Sequence, residues 1–592
     1  MRTILVDKDQ QLIDLIPTLV GANRIAIDTE TTGLDWWIDV IIGMCFSVDG
    51  ETGYYVPFGH EQGPQCSFPI VSYVVELIVR NPLSTKIFHN AKFDRHHILS
   101  TFGLEVLPPI EDTMVGAFLI DNTESKGLKY WTTRLFDDRL EKLDNRMEAI
   151  RKSRDPQSFV SLTPTEFFEY GAGDAIFTFK LWETFERELG DQIHLYSTEV
   201  ELTDYVMMME RRGVLIDKDF LAYQGEKIDE WLPRTESELE RVVGYKLNPR
   251  SPKQVADLLY TRLKMPILKY TDSGRPSTAE EVLLNLPDHP AIDLILRVRT
   301  LSKVKSTYVD GIISKLTTGN RLHCSFNQLG AETGRFSSSK PNLQNQPREG
   351  SVPVSIRSAF VPTPGTLLVF HDYKQVEMRV FAHYSRDSQL IRLCNEGYDF
   401  HLSTAASIFN KPREEVTKAE RKFAKNVNFG YVYGIGPTSL ARRLKIERNE
   451  AISFLRKYDR RFPGVPIFMR ECRKEFERLG FVQNIFGRKR SIPFDKAYRS
   501  VNTKVQGTAA DIIKNAMVRL IPLLRSCRVY PLMTVHDELI FEVPFDQLEK
   551  VREIKEVMED FRLSVPIEVD VEFGCFSWGN KAKWDFDEFP LN

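Results

Sequence analysis

The sequence predicts a multidomain protein of the α/β plus α+β class, with about three or four domains in 592 residues. Three observations lead to this prediction. Short apolar strands alternate with helical segments in the first third of the chain, and amphipathic helical runs dominate from about Glu199. Apolar strands that end in carboxylates return after Thr366. Strand ends of this kind are where α/β and α+β enzymes place catalytic groups.

Thr366 to Arg379, TLLVFHDYKQVEMR, begins as a buried strand that delivers Asp372 at its end. A second apolar run, Val529 to Val543, is interrupted at residues 536–538 by His-Asp-Glu, which predicts two strands joined by a tight acidic turn. If the strands pair, Asp372 and Asp537 meet at one sheet edge. Two oxygen ligands from different elements suit a pair of Mg²⁺ ions and phosphoryl or nucleotidyl transfer. A lone Asp at a strand end is more often a turn former or a helix cap.

The composition argues against several classes of protein. Apolar residues make up 42% and charged residues 27%, and no apolar run is long enough to span a membrane. The N-terminus lacks the basic, apolar and small-residue order of a signal peptide, so we expect a cytoplasmic protein. Seven cysteines are scattered singly, without the spacing typical of zinc sites, and are expected to be reduced core thiols.

The charge is distributed unevenly along the chain. The formal net charge is −3, but residues 421–510 contain 21 Lys and Arg against 7 Asp and Glu, an excess of 21 − 7 = +14. A basic segment in an otherwise acidic chain predicts a localised phosphate-binding surface. Solvated helix faces are the alternative interpretation of this segment.

Acidic residues follow two of the N-terminal strands. Residues 24–28 are predicted to form a strand that ends at Asp28, with Glu30 two residues later. Because side chains alternate along a strand, Asp28 and Glu30 lie on the same face, where both could bind one metal ion. The strand at 86–89 precedes a predicted helix start that carries Asp94. Strand-like runs at Val40–Val48 and Gly53–Phe58 complete a small mixed sheet.

A better-marked helix carries the fourth acid. Thr163, Pro164 and Glu166 form a capping box, so Tyr170 and Asp174 share one face of the helix at i and i+4. Any one of these acids is more often structural than catalytic, but four in this order, with a tyrosine one turn before the last, indicate a site.

These N-terminal motifs resemble those of a nuclease family. DTE at 28–30, NAKFD at 90–94 and YGAGD at 170–174 are similar to the three motifs of the DEDDy 3′–5′ exonucleases, which share a ribonuclease H-like fold. The resemblance implies two metal ions bound by four acids and an attacking water oriented by a tyrosine. The residues are Asp28, Glu30, Asp94, Asp174 and Tyr170.

The middle of the chain is predicted to be helical. Amphipathic runs extend from Glu199 to Leu239 and from Ala279 to Leu316. The polar link Leu247–Ser277, which contains Pro and Gly, is predicted to be a loop at the tip of a helical hairpin.

The remainder resembles a polymerase family. TGRFSSSKPNLQNQP, at 333–347, is similar to the family A DNA polymerases of the bacterial DNA polymerase I type. Residues 372–379 resemble the family's motif A, 421–434 its motif B and 535–538 its motif C, and 502–511 resemble a further helix of the family. The likeness covers essentially residues 24–580. Two departures are Lys374, where motif A commonly has Ser, and Tyr498, where the family often has Arg.

The polymerase resemblance implies roles for individual residues. Asp372 and Asp537 would bind both metal ions, with Glu538 secondary. Contacts with the incoming nucleotide are implied for Arg421, Lys425, Phe429, Tyr433, Glu377 and Gln375. Contacts with primer–template DNA are implied for Arg335, Asn342, Gln344, Asn345, Asn502, Gln506 and His536.

Motif B also has a physical interpretation. Arg421, Lys425, Phe429 and Tyr433 recur every four residues, so they form one stripe on a helix expected to end at Gly434. Two cations followed by two aromatic rings could hold a triphosphate at one end and cover a base at the other. A core stripe with surface cations is the alternative.

The resemblances imply an exonuclease domain at 1–195 with a ribonuclease H-like fold and a polymerase domain at 196–592. Within the latter we expect a thumb at about 196–325, fingers at about 401–499, and a palm at about 326–400 and 500–592. The expected activity is template-directed DNA synthesis from dNTPs with proofreading during DNA replication.

The expected cofactor is Mg²⁺, two ions in each active site, with Mn²⁺ as a substitute. The expected partner is primer–template DNA, and the expected state is a monomer. Two other functions stay open, a single-subunit RNA polymerase and a catalytically silent DNA-binding accessory subunit. The layout, with no 5′ nuclease domain expected before Asp28, resembles a bacteriophage replicative enzyme.

Overall fold

The computed structural model describes residues 1–153, 159–347, 352–432, 434, 436–444 and 446–586. It confirms the predicted mixed class, since a sheet near each end of the chain flanks a mainly helical middle. Among the described residues, no helix is both long enough and apolar enough to cross a membrane.

The N-terminal region is built on a six-stranded mixed sheet with the strand order β1-β4-β3-β2-β5-β6. Its strands are β1 (Arg2–Leu5), β2 (Arg24–Thr31), β3 (Ile41–Ser47), β4 (Thr52–Pro57), β5 (Thr85–Phe88) and β6 (Ile110–Asp112). Strand β2 lies in the middle, antiparallel to β3 and parallel to β5. The sequence prediction missed β1 and β6, because edge strands of 4 and 3 residues are too short to show an alternating pattern.

Seven helices surround this sheet in the described residues, and the last of them covers β1, β3 and β4. They are α1 (Asp9–Val20), α2 (Phe68–Val79), α3 (Ala91–Phe102), α4 (Thr113–Ile120), α5 (Leu128–Leu135), α6 (Arg139–Lys152) and α7 (Pro164–Glu188). Helix α7 starts at the predicted capping box, in which Thr163 N donates to Glu166 Oε2 at 3.0 Å and Glu166 N donates to Thr163 Oγ1 at 3.4 Å.

Helix α8 (Ile193–Arg212) joins the two halves of the protein. Its first half places Leu195 and Tyr196 in the apolar core beneath α4 and α7, and its second half places Tyr205 and Met209 in the large C-terminal core. The expected boundary after residue 195 therefore falls inside a helix that packs on both sides of it.

The helical run predicted from Glu199 to Leu239 is broken at Gly213, which has φ 60°. A Cβ at this glycine would lie 2.7 Å from His323 Nδ1, so both the turn and the close packing require glycine. The helices of the middle region are α9 (Lys218–Val243), α10 (Pro252–Ala256), α11 (Glu280–Leu283), α12 (Pro290–Lys303) and α13 (Gly311–Ile313). The expected loop at 247–277 was partly wrong, because it contains α10 and a π-helical turn, Asp257–Arg262.

The middle region also contains four short strands: β7 (Val214–Leu215), β8 (Arg321–Leu322), β9 (Ser325–Asn327) and β10 (Ser337–Ser339). The later strands are β11 (Thr366–Tyr373), β12 (Phe481–Gln483), β13 (Lys489–Ser491), β14 (Tyr530–Val535), β15 (Glu538–Pro544), β16 (Val569–Gly574) and β17 (Ala582–Lys583). Five of them form an antiparallel sheet with the order β14-β15-β11-β16-β17. The apolar strand ending at Asp372 is thus at the centre of the C-terminal sheet.

The C-terminal half carries the remaining helices. They are α14 (Val376–Ser385), α15 (Ser388–Asn395), α16 (Phe400–Phe409), α17 (Lys418–Val432), α18 (Pro437–Leu444), α19 (Arg448–Arg461), α20 (Gly464–Leu479), α21 (Ser500–Ser526) and α22 (Lys550–Glu559). Helix α17 ends before Gly434, as predicted, and this glycine has φ 69°.

Candidate active sites

The N-terminal acids converge where β2, α3 and α7 meet. Asp28 and Glu30 project from the same face of β2, and a β-bulge follows Glu30. Asp94, in the first turn of α3, is buried, and its Oδ1 accepts hydrogen bonds from Thr29 N at 3.0 Å and Thr29 Oγ1 at 2.8 Å. The residue between the two β2 acids therefore ties the third acid to the same strand.

Helix α7 delivers the other two predicted residues to this point. Asp174 is buried, and the pKa of the Tyr170 phenol is raised well above its usual value by the Asp174 charge and by burial, with Glu30 and Asp28 adding to the effect. The five residues predicted from sequence thus form one cluster.

The cluster has the chemistry of a divalent-cation site. Burial and mutual repulsion raise the pKa of Asp28 and of Glu30 well above the usual range, and burial raises the pKa of Asp94 to about 8 and of Asp174 to about 7. Glu30 Oε1 and Asp174 Oδ1 are buried without a hydrogen-bond partner among the described residues. Acids crowded together in this way need a cation to stay ionised, and oxygen donors suit Mg²⁺ or Mn²⁺.

Lys129, on α5, is a residue of this site that sequence reasoning missed. Its Nζ lies 2.5 Å from Asp144 Oδ1 and 5.3 Å from the centre of the Tyr170 ring. Its charge opposes the raised pKa of Asp28, Glu30 and Asp174. The lysine belongs to none of the acidic motifs, so no signal in the sequence marks it.

The second cluster lies at the edge of the C-terminal sheet. Asp372, near the end of β11, stands directly opposite Glu538 on β15, and Tyr373 N donates to the carbonyl of Asp537 at 3.1 Å. The tight turn predicted at residues 536–538 is formed by His536 and Asp537, and Glu538 is already the first residue of β15. Strand pairing therefore brings the motif A and motif C carboxylates together, as predicted.

The charges around this cluster are unbalanced. Asp372 is accessible to solvent, but surrounding protein partly desolvates its carboxylate, and together with Glu538 and Asp537 this raises its pKa to about 7. Burial also raises the pKa of Asp537 and of Glu538, against the opposing charges of Arg335 and Lys581. The acids carry more negative charge than their neighbours neutralise, which fits a site for divalent cations.

Two residues near this cluster were not predicted. Asp570, on β16, faces Asp372 from the other side of β11, and Lys581 forms an ion pair with Glu538. Both follow the last recognised motif by more than 30 positions, so only strand pairing reveals them.

Arg335 bridges the motifs of the C-terminal site. Its guanidinium donates to Glu377 Oε1 and lies 3.9 Å from Asp537 Oδ1. A small cavity of about 40 Å³ beside it is also lined by Gln344 and His536. Three of the residues expected at the primer–template thus lie around one cleft.

The motif B stripe lies on α17. Arg421 is held by Asp399, with Nε 2.8 Å from Oδ2, and Lys425 Nζ is 5.8 Å from the centre of the Phe429 ring. The Phe429 ring also lies 5.5 Å from that of His401. Tyr433 lies outside the described residues.

The other amides expected to contact substrate have different surroundings. Asn342 Oδ1 accepts from Ser338 Oγ and Gln344 N within its own loop, whereas the Asn345 side chain is exposed. Asn502 Oδ1 and Gln375 Oε1 are buried with no hydrogen-bond partner in the described part of the chain. Gln506 is half-buried on α21, one turn beyond Asn502.

The basic segment at 421–510 is partly neutralised by acids outside it. Arg488 is buried between Glu199 and Asp511, and Arg490 is paired with Glu332 at 2.6 Å. Arg421 and Lys489 also have acidic partners outside the segment. The surface excess of positive charge is therefore smaller than the sequence count of +14.

Comparison with known families decides between the open interpretations of the C-terminal region. The family model described as DNA polymerase family A matches residues 218–580, which is more than half of the chain. This chain belongs to DNA polymerase family A. A second family model, described as 3′–5′ exonuclease, matches residues 3–190 of the same chain. Both resemblances noted in the sequence are confirmed. Enzymes of these families generally use divalent metal ions.

Curated relatives of this family A member include bacterial DNA polymerases I. It is 33% identical over 603 residues to DNA polymerase I of Pseudomonas aeruginosa, covering 96% of this chain and 64% of the relative. It is 34% identical to the Chloroflexus aurantiacus enzyme, covering 95% of this chain and 62% of the relative. The thermostable DNA polymerase I of Thermus aquaticus is 40% identical over 412 residues, covering 67% of this chain and 49% of the relative. The chain thus spans less than two thirds of their length.

A solved structure shares the fold. It is described as the POL domain of Pol1 from M. smegmatis in complex with DNA primer-template and dNTP. The two superpose with a TM-score of 0.83 at 28% identity, over 96% of this chain and 98% of the other. The expected phage origin stays a prediction.

Proposed function

We propose that this family A member extends a DNA primer along a template from dNTPs and removes mismatched 3′ ends at a second, 3′–5′ exonuclease site. The observation that carries this proposal is the presence of two carboxylate clusters, each of which includes acids from a different sheet. Family membership and the exonuclease match favour this function over an RNA polymerase or a catalytically silent accessory subunit.

The proposed division of labour follows the two sheets. Residues 1–195 would form the exonuclease domain and residues 196–592 the polymerase domain. Within the latter, we assign the five-stranded sheet to the palm (326–400 and 500–592), the helices around α17 to the fingers (401–499) and the helical hairpin of α9 and α12 to the thumb (196–325). Helix α8 would couple the domains, since it packs in both cores.

Mg²⁺, with Mn²⁺ as an alternative, is the proposed cofactor, with two ions in each site. Asp372 and Asp537 would hold the ions of the polymerase site, with Glu538 secondary. The acids of the exonuclease site, Asp28, Glu30, Asp94 and Asp174, would hold the others. When bound, the cations supply Lewis acidity that activates a hydroxyl or water nucleophile and neutralises charge on the reacting phosphate.

At the polymerase site, the incoming triphosphate would bind to Arg421 and Lys425 at one end of α17. Arg421 is about half exposed and already oriented by Asp399, so a phosphate oxygen would compete for a guanidinium held in place. Phe429 would pack against the sugar and base of the nucleotide, and Glu377 would lie beneath the sugar. Tyr433 and Gln375 complete the proposed nucleotide contacts.

The growing duplex would bind alongside α21 and the loop at 333–347. Arg335 and Gln344, which line the cavity near Asp537, would donate hydrogen bonds to base edges or sugars. We assign the same kind of contact to His536, Asn342, Asn345, Asn502 and Gln506. At the other site, Tyr170 would orient the attacking water next to Asp174. We propose that the protein acts in DNA replication as a cytoplasmic monomer.

Separating the two activities tests the proposal. Asp28→Ala combined with Glu30→Ala is expected to abolish removal of a mismatched 3′ nucleotide and to leave primer extension nearly intact. Asp372→Asn or Asp537→Asn is expected to do the reverse. The measurement is degradation and extension of one labelled primer–template with Mg²⁺, with EDTA as the blank.

A matched control uses two acids on the exposed face of α7 in the same domain. Glu183→Ala combined with Glu188→Ala removes the same charge without touching the cluster, and both activities are expected to stay. If the Asp28 and Glu30 double variant loses both primer extension and primer degradation, the two-site proposal is wrong. Extension by the Asp372→Asn variant at about a tenth of the original rate or faster would show that the wrong carboxylate was chosen.

A further inference from the structure

The acid cluster of the N-terminal site contains a thiol that no motif includes. Cys45, on β3, stands directly opposite Asp28 in the antiparallel ladder, so the two side chains share one face of the sheet. Cys45 Sγ, one oxygen of Asp28 and one oxygen of Glu30 all lie within 4.8 Å of one another. Among the described residues, no other set of three His, Cys, Asp or Glu side chains brings its ligand atoms this close together.

A second observation points to a ligand at this position. Glu30 is only 9% exposed, and its Oε1 has no hydrogen-bond partner among the described residues. Gly171 of α7 closes over the same space. A Cβ at this glycine would lie 2.9 Å from Cys45 Sγ and 3.3 Å from Glu30 Oε1. The sulfur and the unpartnered oxygen therefore face one confined space, over which the helix passes without a side chain.

We propose that Asp28, Glu30 and Cys45 form a binding site for a thiophilic divalent cation such as Cd²⁺ or Zn²⁺, with Cys45 as a sulfur ligand. The inference rests on the proposed exonuclease site only in taking Asp28 and Glu30 as cation ligands. It adds a mode of binding that Mg²⁺ does not use, because Mg²⁺ selects oxygen ligands whereas Zn²⁺ and softer ions bind thiolate strongly.

The geometry admits such an ion. Three atoms no more than 4.8 Å apart always have a point within about 2.8 Å of all of them. Zn–S bonds are about 2.3 Å and Zn–O bonds about 2.0–2.2 Å, so side-chain movements of several tenths of an ångström would close the coordination. Water or the fourth acid of the cluster, Asp174, is available to complete a tetrahedral shell.

Ligand preference distinguishes soft from hard cations. A cysteine binds a metal ion as the thiolate, which soft cations prefer, whereas Mg²⁺ prefers carboxylate oxygens. Binding forms a metal–sulfur bond and breaks the S–H bond, and the proton passes to solvent. A cation that binds thiolate tightly can drive this exchange, whereas Mg²⁺ would stay on the carboxylates.

Cadmium titration of the metal-free protein tests the proposal. Cd²⁺ bound to thiolate absorbs in the ultraviolet by sulfur-to-metal charge transfer, which reports the Cys45 bond independently of nuclease activity. Wild type is expected to show a saturable band that Cys45→Ser loses, with Cd²⁺ affinity at the site lowered about tenfold or more. Asp28→Ala combined with Glu30→Ala keeps the thiol and is expected to lose the band as well.

The other cysteines supply the controls. Cys575→Ser and Cys527→Ser remove the accessible thiols and are expected to lower only the weak background, leaving the saturable band. Thermal unfolding followed by circular dichroism checks that each variant folds, and Cys45→Ala replaces Cys45→Ser if the buried hydroxyl prevents folding. A band of the same size and affinity in wild type and in either folded Cys45 variant overturns the proposal.

The outcome is separable from that of the proposed function. A band that depends on Cys45 and the two acids supports the cation site, even if Mg²⁺ supports no 3′–5′ degradation. Degradation with Mg²⁺ but no band dependent on Cys45 overturns the cation site alone.

Discussion

Glu210 on helix α8 accepts a hydrogen bond from His96 Nε2 at 2.8 Å, and this contact joins α8 to the helix that carries Asp94. The same carboxylate accepts from Lys92 Nζ at 2.7 Å and from Phe326 N at 2.6 Å. Burial lowers the pKa of His96 to about 4, so the neutral imidazole donates a hydrogen bond while Lys92 provides the balancing charge. One buried acid therefore connects the exonuclease fold to the polymerase half.

Glu210→Gln is expected to slow exonucleolysis about tenfold and to change primer extension much less. The amide keeps the shape but leaves Lys92 without its charged partner, which loosens α3 and with it Asp94. The measurement is the single-turnover rate of each activity on the same DNA. Glu201→Gln, on the exposed face of α8, is the control and should change neither rate. Equal losses in both activities would contradict a specific effect on α3.

The metal-free protein is expected to lose stability as the pH rises from about 6.5 to about 8. Burial raises the pKa of Asp94 to about 8 and of Asp174 to about 7 from the usual value of 3.8. Above about pH 6.5, buried histidines such as His96 become neutral in both the folded and the unfolded state, so they no longer oppose the acids. The folded state then binds more protons than the unfolded state, so raising the pH favours unfolding, and the melting temperature in EDTA should fall over this range.

Mg²⁺ should oppose this loss, since a bound cation stabilises the ionised acids, and its effect should be larger at pH 8 than at pH 5. Asp94→Asn should flatten the dependence of the melting temperature on pH. The control variant Asp14→Asn changes an exposed acid and should leave this dependence as it is. A melting temperature in EDTA that rises between about pH 6.5 and pH 8 would contradict the raised pKa values.

Binding to primer–template should weaken steeply with salt despite the net charge of −3. Since several cations of the basic segment are already paired, we expect fewer phosphate contacts than its 21 Lys and Arg suggest. Each phosphate contact contributes about −0.9 to the slope of log K against log salt concentration. We therefore expect a slope of about −4 or steeper. A slope near zero would mean that this segment faces away from DNA.

Glu377→Ala is expected to raise the use of ribonucleotides relative to deoxynucleotides. The proposed place of this side chain beneath the sugar leaves no room for a 2′-hydroxyl. Glu377→Gln is the matched control, because it keeps the volume while weakening the ion pair with Arg335. The ratio of kcat/KM for the two nucleotides should change in the Ala variant and much less in the Gln variant. Equal shifts in both variants would point to the ion pair rather than to the size of the side chain.

Phe429→Tyr is expected to remove most of the discrimination against dideoxynucleotides while ordinary extension continues. The 3′-hydroxyl of a normal substrate would fill a polar niche beside the triphosphate, and a phenolic hydroxyl can fill it when the sugar lacks one. The unfilled niche costs roughly 1–3 kcal/mol, about ten- to a hundredfold in selectivity. Ratios of kcat/KM are compared in the Asp28→Ala, Glu30→Ala background, which prevents excision. Identical ratios of kcat/KM in the Phe429 protein and the Phe429→Tyr variant would show that this residue does not contact the sugar.

Local patterns in the sequence determined a large part of the fold and of both sites. Strand alternation placed Asp28 and Glu30 on one face, the capping box located the start of α7, and the acidic turn at 536–538 separated β14 from β15. These features depend on backbone geometry within a few residues, which is why they can be recognised without a structure. The family motifs extended this to the order of the domains.

The tertiary structure alone decided which distant residues share a site. Cys45 meets Asp28 through strand register, Lys129 approaches Tyr170 because α5 packs beside α7, and Glu210 reaches His96 across the junction of the two halves. Packing also paired Arg488 with Glu199, which reduced the positive charge counted from sequence. None of these contacts has a local signal, because burial and charge pairing depend on elements that are far apart in the chain and are brought together only when the cores form.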